Sequence, residues 1–158
     1  MTLSPEALKK IDAAVAKYPG DQKRSAVMAA LAIAQDEIGW LSDETMAFVA
    51  SYLSMAPVAV REVATFYTMY NLAPTGKHKI TICTNLPCAL SGANEAADHL
   101  KKKLGIVFNG TTQDGKFTLK EGECFGACGD APVCLLNNKQ MLSFMSNEKI
   151  DNFLAELK

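Results

Sequence analysis

The sequence predicts an α+β protein in which a bundle of helices is followed by an open β-sheet covered by helices. Two observations carry this prediction. Apolar residues recur with a helical period up to about residue 72, and β-branched residues alternate in short segments after residue 76. The pattern changes at Ala73-Pro74-Thr75-Gly76, where proline and glycine interrupt regular structure. We therefore expect a helical domain over residues 1–74 and a sheet domain over residues 75–158.

Four amphipathic helices are expected before this boundary, each with a recognisable start or stop signal. The expected helices begin near Ser4, Gln22, Ser42 and Pro57, and Pro19-Gly20 and Gly39 stop the first two. The apolar residues that repeat on one face are Leu8, Ile11, Val15 and Tyr18, then Val27, Leu31, Ala34 and Ile38, then Met46, Val49 and Leu53, and finally Val60 and Val63. Short connections between such helices are typical of a bundle.

The elements expected after the boundary are a strand, a helix, a second strand, a hairpin and a final helix. The strands are expected in HKITICT at residues 78–84, in FTLKEGE at residues 117–123, and in a hairpin of residues 132–137 and 141–144. Ser91 and Ser146 are the expected N-caps of the two helices. This order suits a thioredoxin-like α/β layer, in which helices cover an open sheet.

Composition and charge exclude several classes of function. The chain has 16 basic and 17 acidic side chains, so its surface has no overall attraction to phosphate or anionic lipid. No apolar run reaches the length needed to span a bilayer. We therefore predict neither nucleic-acid binding nor direct membrane insertion. The opening MTLSPEALKK lacks the features of a secretory signal, which favours a cytoplasmic protein with reduced thiols.

Four of the five cysteines form two close pairs, Cys83-x4-Cys88 and Cys124-x3-Cys128. Each pair follows an expected strand, which places both pairs in loops, where functional residues concentrate. Glycines at positions 126 and 129 would let backbone amides approach the sulfur atoms. Four thiolates brought to one point are the usual ligands of an iron–sulfur cluster. The pattern therefore points to electron transfer.

Other uses of these thiols compete with a [2Fe-2S] cluster, which needs one pair of thiolates for each iron. Structural zinc sites usually use C-x2-C motifs and dithiol oxidoreductases need C-x-x-C, and neither motif occurs here. A cubane is the weaker cluster option. Rieske ligation needs two histidines near the loops, whereas His78 precedes the first loop and His99 falls in an expected helix. A structural zinc-binding interaction protein and a free-standing ferredoxin remain as alternatives.

The fifth cysteine and two methionines are expected to pack in the core. Cys134 alternates within the apolar segment PVCLL, as a buried free cysteine does. Met141 and Met145 are interpreted in the same way. The chain contains no G-x-G-x-x-G or P-loop motif and no nucleophile–base arrangement, so we expect it to bind no nucleotide and to have no catalytic residue of its own.

Four segments of the chain carry a resemblance to a known family. They are YPGDQKRSAVMAALAIAQDEIGWLS, VREVATFYTMYNL, CTNLPCALSGA and ECFGACGDAPV. The chain resembles the small peripheral [2Fe-2S] subunit of respiratory NADH:quinone oxidoreductase, complex I, a member of the thioredoxin-like [2Fe-2S] ferredoxins. The resemblance implies that Cys83, Cys88, Cys124 and Cys128 bind one [2Fe-2S] cluster. Cys134 departs from the family pattern, in which another apolar residue is usual.

The resemblance also implies the partners. An adjacent flavoprotein subunit would bind FMN and NADH, and this chain would exchange single electrons with that FMN within a hetero-oligomeric respiratory complex peripheral to the inner membrane. The corresponding subunit of an NAD-linked formate dehydrogenase or hydrogenase is the alternative. The helical domain carries apolar residues near the domain boundary, among them Phe66, Tyr67, Met69 and Tyr70. Two interpretations of this surface remain open: the cluster domain covers it within the chain, or the helices dock the cluster domain onto the flavoprotein.

Overall fold

The computed structural model describes residues 3–157 and confirms the α+β fold class. The chain forms two compact units, with the division between Pro74 and Thr75. Helices make up the regular structure of the first unit, and the second unit combines helices with one sheet. Among the described residues, none of the helices is both long and apolar enough to cross a membrane.

Over its described residues, 3–74, the first unit contains four α-helices in the order expected from the sequence, and a 3-10 turn that the sequence pattern did not predict. They are α1 (Pro5–Val15), the turn Lys23–Ala26, α2 (Val27–Ile38), α3 (Asp43–Tyr52) and α4 (Pro57–Phe66). Ser4 and Ser42 cap α1 and α3, since their hydroxyl oxygens accept hydrogen bonds from the backbone N–H groups of Ala7 and Thr45 at 3.2 and 3.1 Å. Gly39 ends α2 with a φ of 92°, a conformation that glycine adopts without strain.

The core of this unit forms where the apolar faces of the helices meet. Ile11, Leu31, Val49 and Val60 are each at most 1% exposed. The prediction that Tyr18 packs on the apolar face of the first helix was wrong. Helix α1 ends at Val15, so Tyr18 lies beyond the helix and is 42% exposed.

The second unit is a four-stranded sheet with three helices. Its elements are β1 (His78–Cys83), α5 (Leu86–Leu90), α6 (Ala93–Leu104), β2 (Phe117–Gly122), β3 (Cys134–Leu136), β4 (Gln140–Leu142) and α7 (Asn147–Glu156). The strand order is β2-β1-β3-β4. Strands β1 and β2 are parallel, whereas β3 runs antiparallel to both β1 and β4. The hairpin strands are shorter than the sequence pattern indicated.

Strand β1 separates two different environments, because alternate side chains point to opposite faces of a sheet. Ile80 and Ile82 belong to an apolar core that also contains Leu100 of α6 and Ile150 of α7. The opposite face carries Lys79, Thr81 and Cys83, whose register partners on β2 are Thr118, Lys120 and Gly122.

Two sequence predictions in this unit were wrong. Ser91 is not the cap of α6, which begins after Gly92; Ser91 instead ends α5, a short helix that periodicity did not reveal. Met141 is 45% exposed on β4 rather than buried, whereas Met145 is 2% exposed and lies in the core as expected.

Candidate cluster-binding site

The first cysteine of the site ends strand β1. Cys83 is 1% exposed, and its thiol donates a hydrogen bond to the carbonyl oxygen of Glu123 at 3.6 Å. Its backbone N–H donates to the carbonyl oxygen of Val133 at 3.0 Å. Because strand pairing holds the backbone and a carbonyl holds the thiol, Cys83 has a fixed position beside the second cysteine loop.

The second cysteine lies in α5 rather than in an irregular loop. The side-chain oxygen of Asn85 caps this helix by accepting a hydrogen bond from the N–H of Leu86 at 2.7 Å. Cys88 is 2% exposed, whereas Leu86 and Leu90 are 68% and 82% exposed. One turn of helix therefore directs the Cys88 thiol inward and two leucines toward solvent.

The second pair lies in the loop that follows β2, and both of its cysteines are exposed. Gly126 has a φ of 70°, and its backbone N–H donates a hydrogen bond to the Cys124 sulfur at 3.4 Å. Cys128 begins a 3-10 turn that ends at Asp130. The positive φ at Gly126 folds the loop back toward its own cysteine, as the glycine in this motif suggested.

The buried Cys88 thiol has two other predicted ligands as neighbours. Burial raises the pKa of the Cys88 thiol, and the neighbouring thiols of Cys83 and Cys128 raise it further through hydrogen bonding and charge. The Cys83 thiol in turn contacts Glu123, the residue before Cys124. The two cysteine loops therefore contact each other.

An aromatic residue that the sequence analysis did not single out lies against the buried thiols. Phe125 is half-buried and packs on the group formed by Cys83, Cys88 and Ala93. A Cβ atom at Gly122 would lie 2.5 Å from the Phe125 ring, so the ring occupies the space that a side chain at position 122 would take.

Cys134 and both histidines lie outside the paired loops. Cys134 is 1% exposed in the apolar core that contains Ile82, its register partner; burial raises its pKa to about 12, with a smaller contribution from the charge of the neighbouring Cys83. His99 Nε2 is 2.8 Å from an oxygen of Asp151, which joins α6 to α7. The His78 ring packs on Phe117 at a centroid separation of 5.5 Å. This placement agrees with packing, rather than ligation, as the role of Cys134.

The donor set fits an iron–sulfur cluster in its chemistry. All five cysteines are free thiols, and four of them lie in the two loops. Within residues 3–157, no three His, Cys, Asp or Glu side chains are arranged to hold one metal ion. A [2Fe-2S] cluster asks for a different arrangement, with two thiolates on each iron. Because burial disfavours a charged thiolate at Cys88, a cationic centre would supply the compensating charge.

Comparison with known proteins identifies the family. The sequence of residues 11–158 matches the family model of the thioredoxin-like [2Fe-2S] ferredoxins. The chain belongs to this family. Its described regular structure, a helical unit followed by a mixed sheet, is the architecture expected from the resemblance.

Relatives of this thioredoxin-like [2Fe-2S] ferredoxin are subunits of NADH-quinone oxidoreductase. The present chain is 43% identical over 138 residues to the NADH-quinone oxidoreductase E subunit of Rickettsia conorii, and the match covers 87% of this chain and 83% of the relative. It is 44% identical over 148 residues to the same protein of Rickettsia prowazekii, covering 91% and 84%. NADH-quinone oxidoreductase subunit 2 of Thermus thermophilus is 36% identical over 143 residues, with 90% and 79% covered.

A solved structure shows the same fold. A crystal structure of an NAD+-reducing [NiFe]-hydrogenase in its H2-reduced state superposes with a TM-score of 0.69 at 20% sequence identity. The match covers 80% of this chain but 22% of the hydrogenase chain, so the present chain corresponds to about a fifth of that longer polypeptide. At this identity the likeness establishes the fold alone.

Proposed function

We propose that this protein is the [2Fe-2S] electron-transfer subunit of an NADH:quinone oxidoreductase, with Cys83, Cys88, Cys124 and Cys128 as the cluster ligands. The observation that carries the proposal is the contact between the two cysteine loops: the Cys83 thiol donates a hydrogen bond to the carbonyl oxygen of Glu123 at 3.6 Å, and Phe125 packs on the group that contains Cys83 and Cys88. Relatives at 43% and 44% identity that bear the name of this subunit support the choice of host complex.

The topology of the sheet supports this assignment of the ligands. Strands β1 and β2 are parallel and in register from His78 opposite Phe117 to Cys83 opposite Gly122, so their carboxyl ends lie side by side. The loops that follow these ends carry the two pairs. A [2Fe-2S] cluster bound there would supply a site for one electron. The Gly126 N–H, already donating to sulfur, would favour the more negative state.

The proposal assigns the hydride chemistry to a partner. An adjacent flavoprotein would bind NADH and FMN and pass single electrons to this chain within a complex peripheral to the membrane. The absence of nucleotide-binding motifs from the sequence and the names of the relatives support this division of roles.

The helical unit offers a surface for that partner. Val58 and Phe66 of α4 are 64% and 78% exposed, and Tyr67 and Met69 beyond it are each 39% exposed. Tyr70, expected on the same surface, is instead 3% exposed, and its hydroxyl donates to the carbonyl oxygen of Met28 at 2.9 Å. The rings of Phe66 and Tyr67 contact each other edge to face at a centroid separation of 5.1 Å. We assign docking to the exposed residues because exposed apolar patches are typical of protein interfaces.

Two measurements test the function and the docking surface. In the purified complex, NADH should generate the EPR signal of the reduced cluster, and a chain that copurifies with no flavoprotein or gives no NADH-dependent signal would contradict the proposed role. Phe66→Glu should weaken flavoprotein binding by about tenfold or more while leaving the cluster spectrum intact. Val107→Glu, at a residue 72% exposed in the second unit, is the matched control and should leave binding unchanged.

A further inference from the structure

The second cysteine loop contributes more than its two thiols. Phe125 lies between Cys124 and Cys128 in the chain, yet its ring packs on the buried group of the first loop. In that group Cys83, Cys88 and Ala93 are 1%, 2% and 0% exposed. An exposed loop thus places an aromatic ring over the two least accessible thiols of the site.

The place of this ring is set by a glycine on the neighbouring strand. Gly122 is the register partner of Cys83 on β2. A Cβ atom at Gly122 would lie 2.5 Å from Cζ of Phe125 and 3.0 Å from Cγ2 of Thr81. The first distance is far inside van der Waals contact, so a side chain at position 122 and the ring cannot occupy this space together. Position 122 therefore requires glycine because a larger residue would collide with the Phe125 ring.

We propose that Phe125 is a positioning residue whose ring, seated on Gly122, shields the thiols of Cys83 and Cys88 from water. The inference rests on the proposed function in one respect, since it takes these thiols to be cluster ligands. Solvent exposure is one of the factors that set the potential of an iron–sulfur cluster. The second loop therefore supplies two ligands and also the cover over the other two.

Thiol alkylation of the full-length, cluster-free chain tests the shielding directly. Iodoacetamide labelling at fixed pH, followed by peptide mass mapping, gives a rate for each cysteine. Phe125→Ala should raise the rates at Cys83 and Cys88 by about tenfold or more, because reactivity follows exposure. Phe125→Leu should stay close to the wild-type rates, because it restores an apolar cover.

Cys134 is the internal control in every sample, since it is equally buried but lies in the separate core of the sheet. Its rate should not change in Phe125→Ala. Unchanged rates at Cys83 and Cys88 would overturn the inference. A parallel rise at Cys134 would also overturn it, because the variant would then have loosened the whole unit rather than removed a cover.

A second variant tests the seat of the ring. Gly122→Ala should displace the ring and raise the rates at Cys83 and Cys88, but it should add nothing in a Phe125→Ala background, where no ring remains to be displaced. Gly129→Ala is the matched control, because no atom lies within 4 Å of the Cβ it would introduce. Fully additive effects of the two variants would contradict the seating of Phe125 on Gly122.

The cluster-loaded chain separates this inference from the proposed function. Phe125→Ala should lose its visible absorption to an iron chelator several-fold faster than the wild type. If the wild type holds a cluster and the variant loses it no faster, the shielding role is wrong while the proposed function stands. If the wild type holds no cluster, the proposed function is wrong, and the alkylation rates alone decide whether Phe125 covers the two thiols.

Discussion

The two faces of the sheet use the same residue type for different purposes. Cys83 and Cys134 lie on adjacent strands and are each 1% exposed. Cys134 belongs to the apolar core beneath the sheet, whereas Cys83 ends β1 on the other face, beside Cys88 and Phe125. Burial alone therefore does not distinguish a packing cysteine from a candidate ligand. The face of the sheet on which each cysteine lies makes the distinction.

The same contrast extends along β1. Its core face carries isoleucines, as an alternating strand should, but its other face carries Lys79, which is 3% exposed. Burial lowers the pKa of Lys79 to about 8, with a smaller contribution from the positive charge of Lys120. The core face is thus optimised for packing, while the opposite face tolerates a costly buried cation and holds the cysteine site.

The largest effect is expected from a comparison of the two buried cysteines. Cys83→Ala should abolish the cluster, because one iron would lose one of its two thiolates. Cys134→Ala should keep the cluster and lower the free energy of unfolding by about 1 kcal/mol through lost packing. Visible absorption and chemical denaturation check both variants. If Cys134→Ala bleaches the protein and Cys83→Ala does not, then Cys134 rather than Cys83 is the ligand and the assignment is wrong.

Ile82, the neighbouring residue on the core face, should affect stability rather than the cluster. Ile82 is fully buried in the apolar core, directly before Cys83. Ile82→Ala should lower the free energy of unfolding by about 2–5 kcal/mol, while the protein that remains folded keeps its cluster spectrum. Urea denaturation measured with and without the cluster tests this. A stable Ile82→Ala variant that lacks the cluster would show that the two faces are not independent.

A smaller effect is expected from the buried lysine. Below pH 8, Lys79 is charged in both the folded and the unfolded chain, and the folded state bears the cost of burying that charge. Lys79→Met should therefore stabilise the fold by roughly 1–3 kcal/mol at pH 7. Between pH 8 and 10.5 the unfolded chain binds more protons than the folded chain, so the wild type should gain stability and the advantage of Met should shrink.

Denaturation of both proteins at several pH values from 7 to 10.5 gives the comparison for Lys79. Lys102→Met, at an exposed lysine of α6, is the control and should change stability by less than about 0.5 kcal/mol at every pH. A Lys79→Met variant that is less stable than the wild type at pH 7 would contradict a net cost of burying this charge.

Strong local signals predicted most of the elements. Helices with a capping serine, such as α1 and α7, and the alternating strand β1 follow the sequence patterns closely. The start of α6 was missed because serine is the commoner cap, whereas the chain uses Gly92 in a left-handed conformation. Helix α5 has five residues, too few for periodicity to detect, although Asn85 followed by Pro87 is a start signal that could have revealed it.

The sequence predicted the candidate site less completely than the fold. The spacing of the cysteines was enough to propose four ligands, and in the structure the two loops that carry them contact each other through Cys83 and Glu123. The cover formed by Phe125 could not have been predicted, because it depends on the register that sets Gly122 opposite Cys83. The burial of Lys79 was missed for a related reason, since a lysine in an alternating strand is expected to face solvent.

The central claim is that the two cysteine pairs hold one [2Fe-2S] cluster. The most direct test is a determination of iron, acid-labile sulfide and zinc in the anaerobically purified full-length chain, with EPR before and after reduction. We expect about two irons and two sulfides per chain and an EPR signal that appears on reduction. Stoichiometric zinc without sulfide would contradict the claim and would make the paired cysteines a structural zinc site.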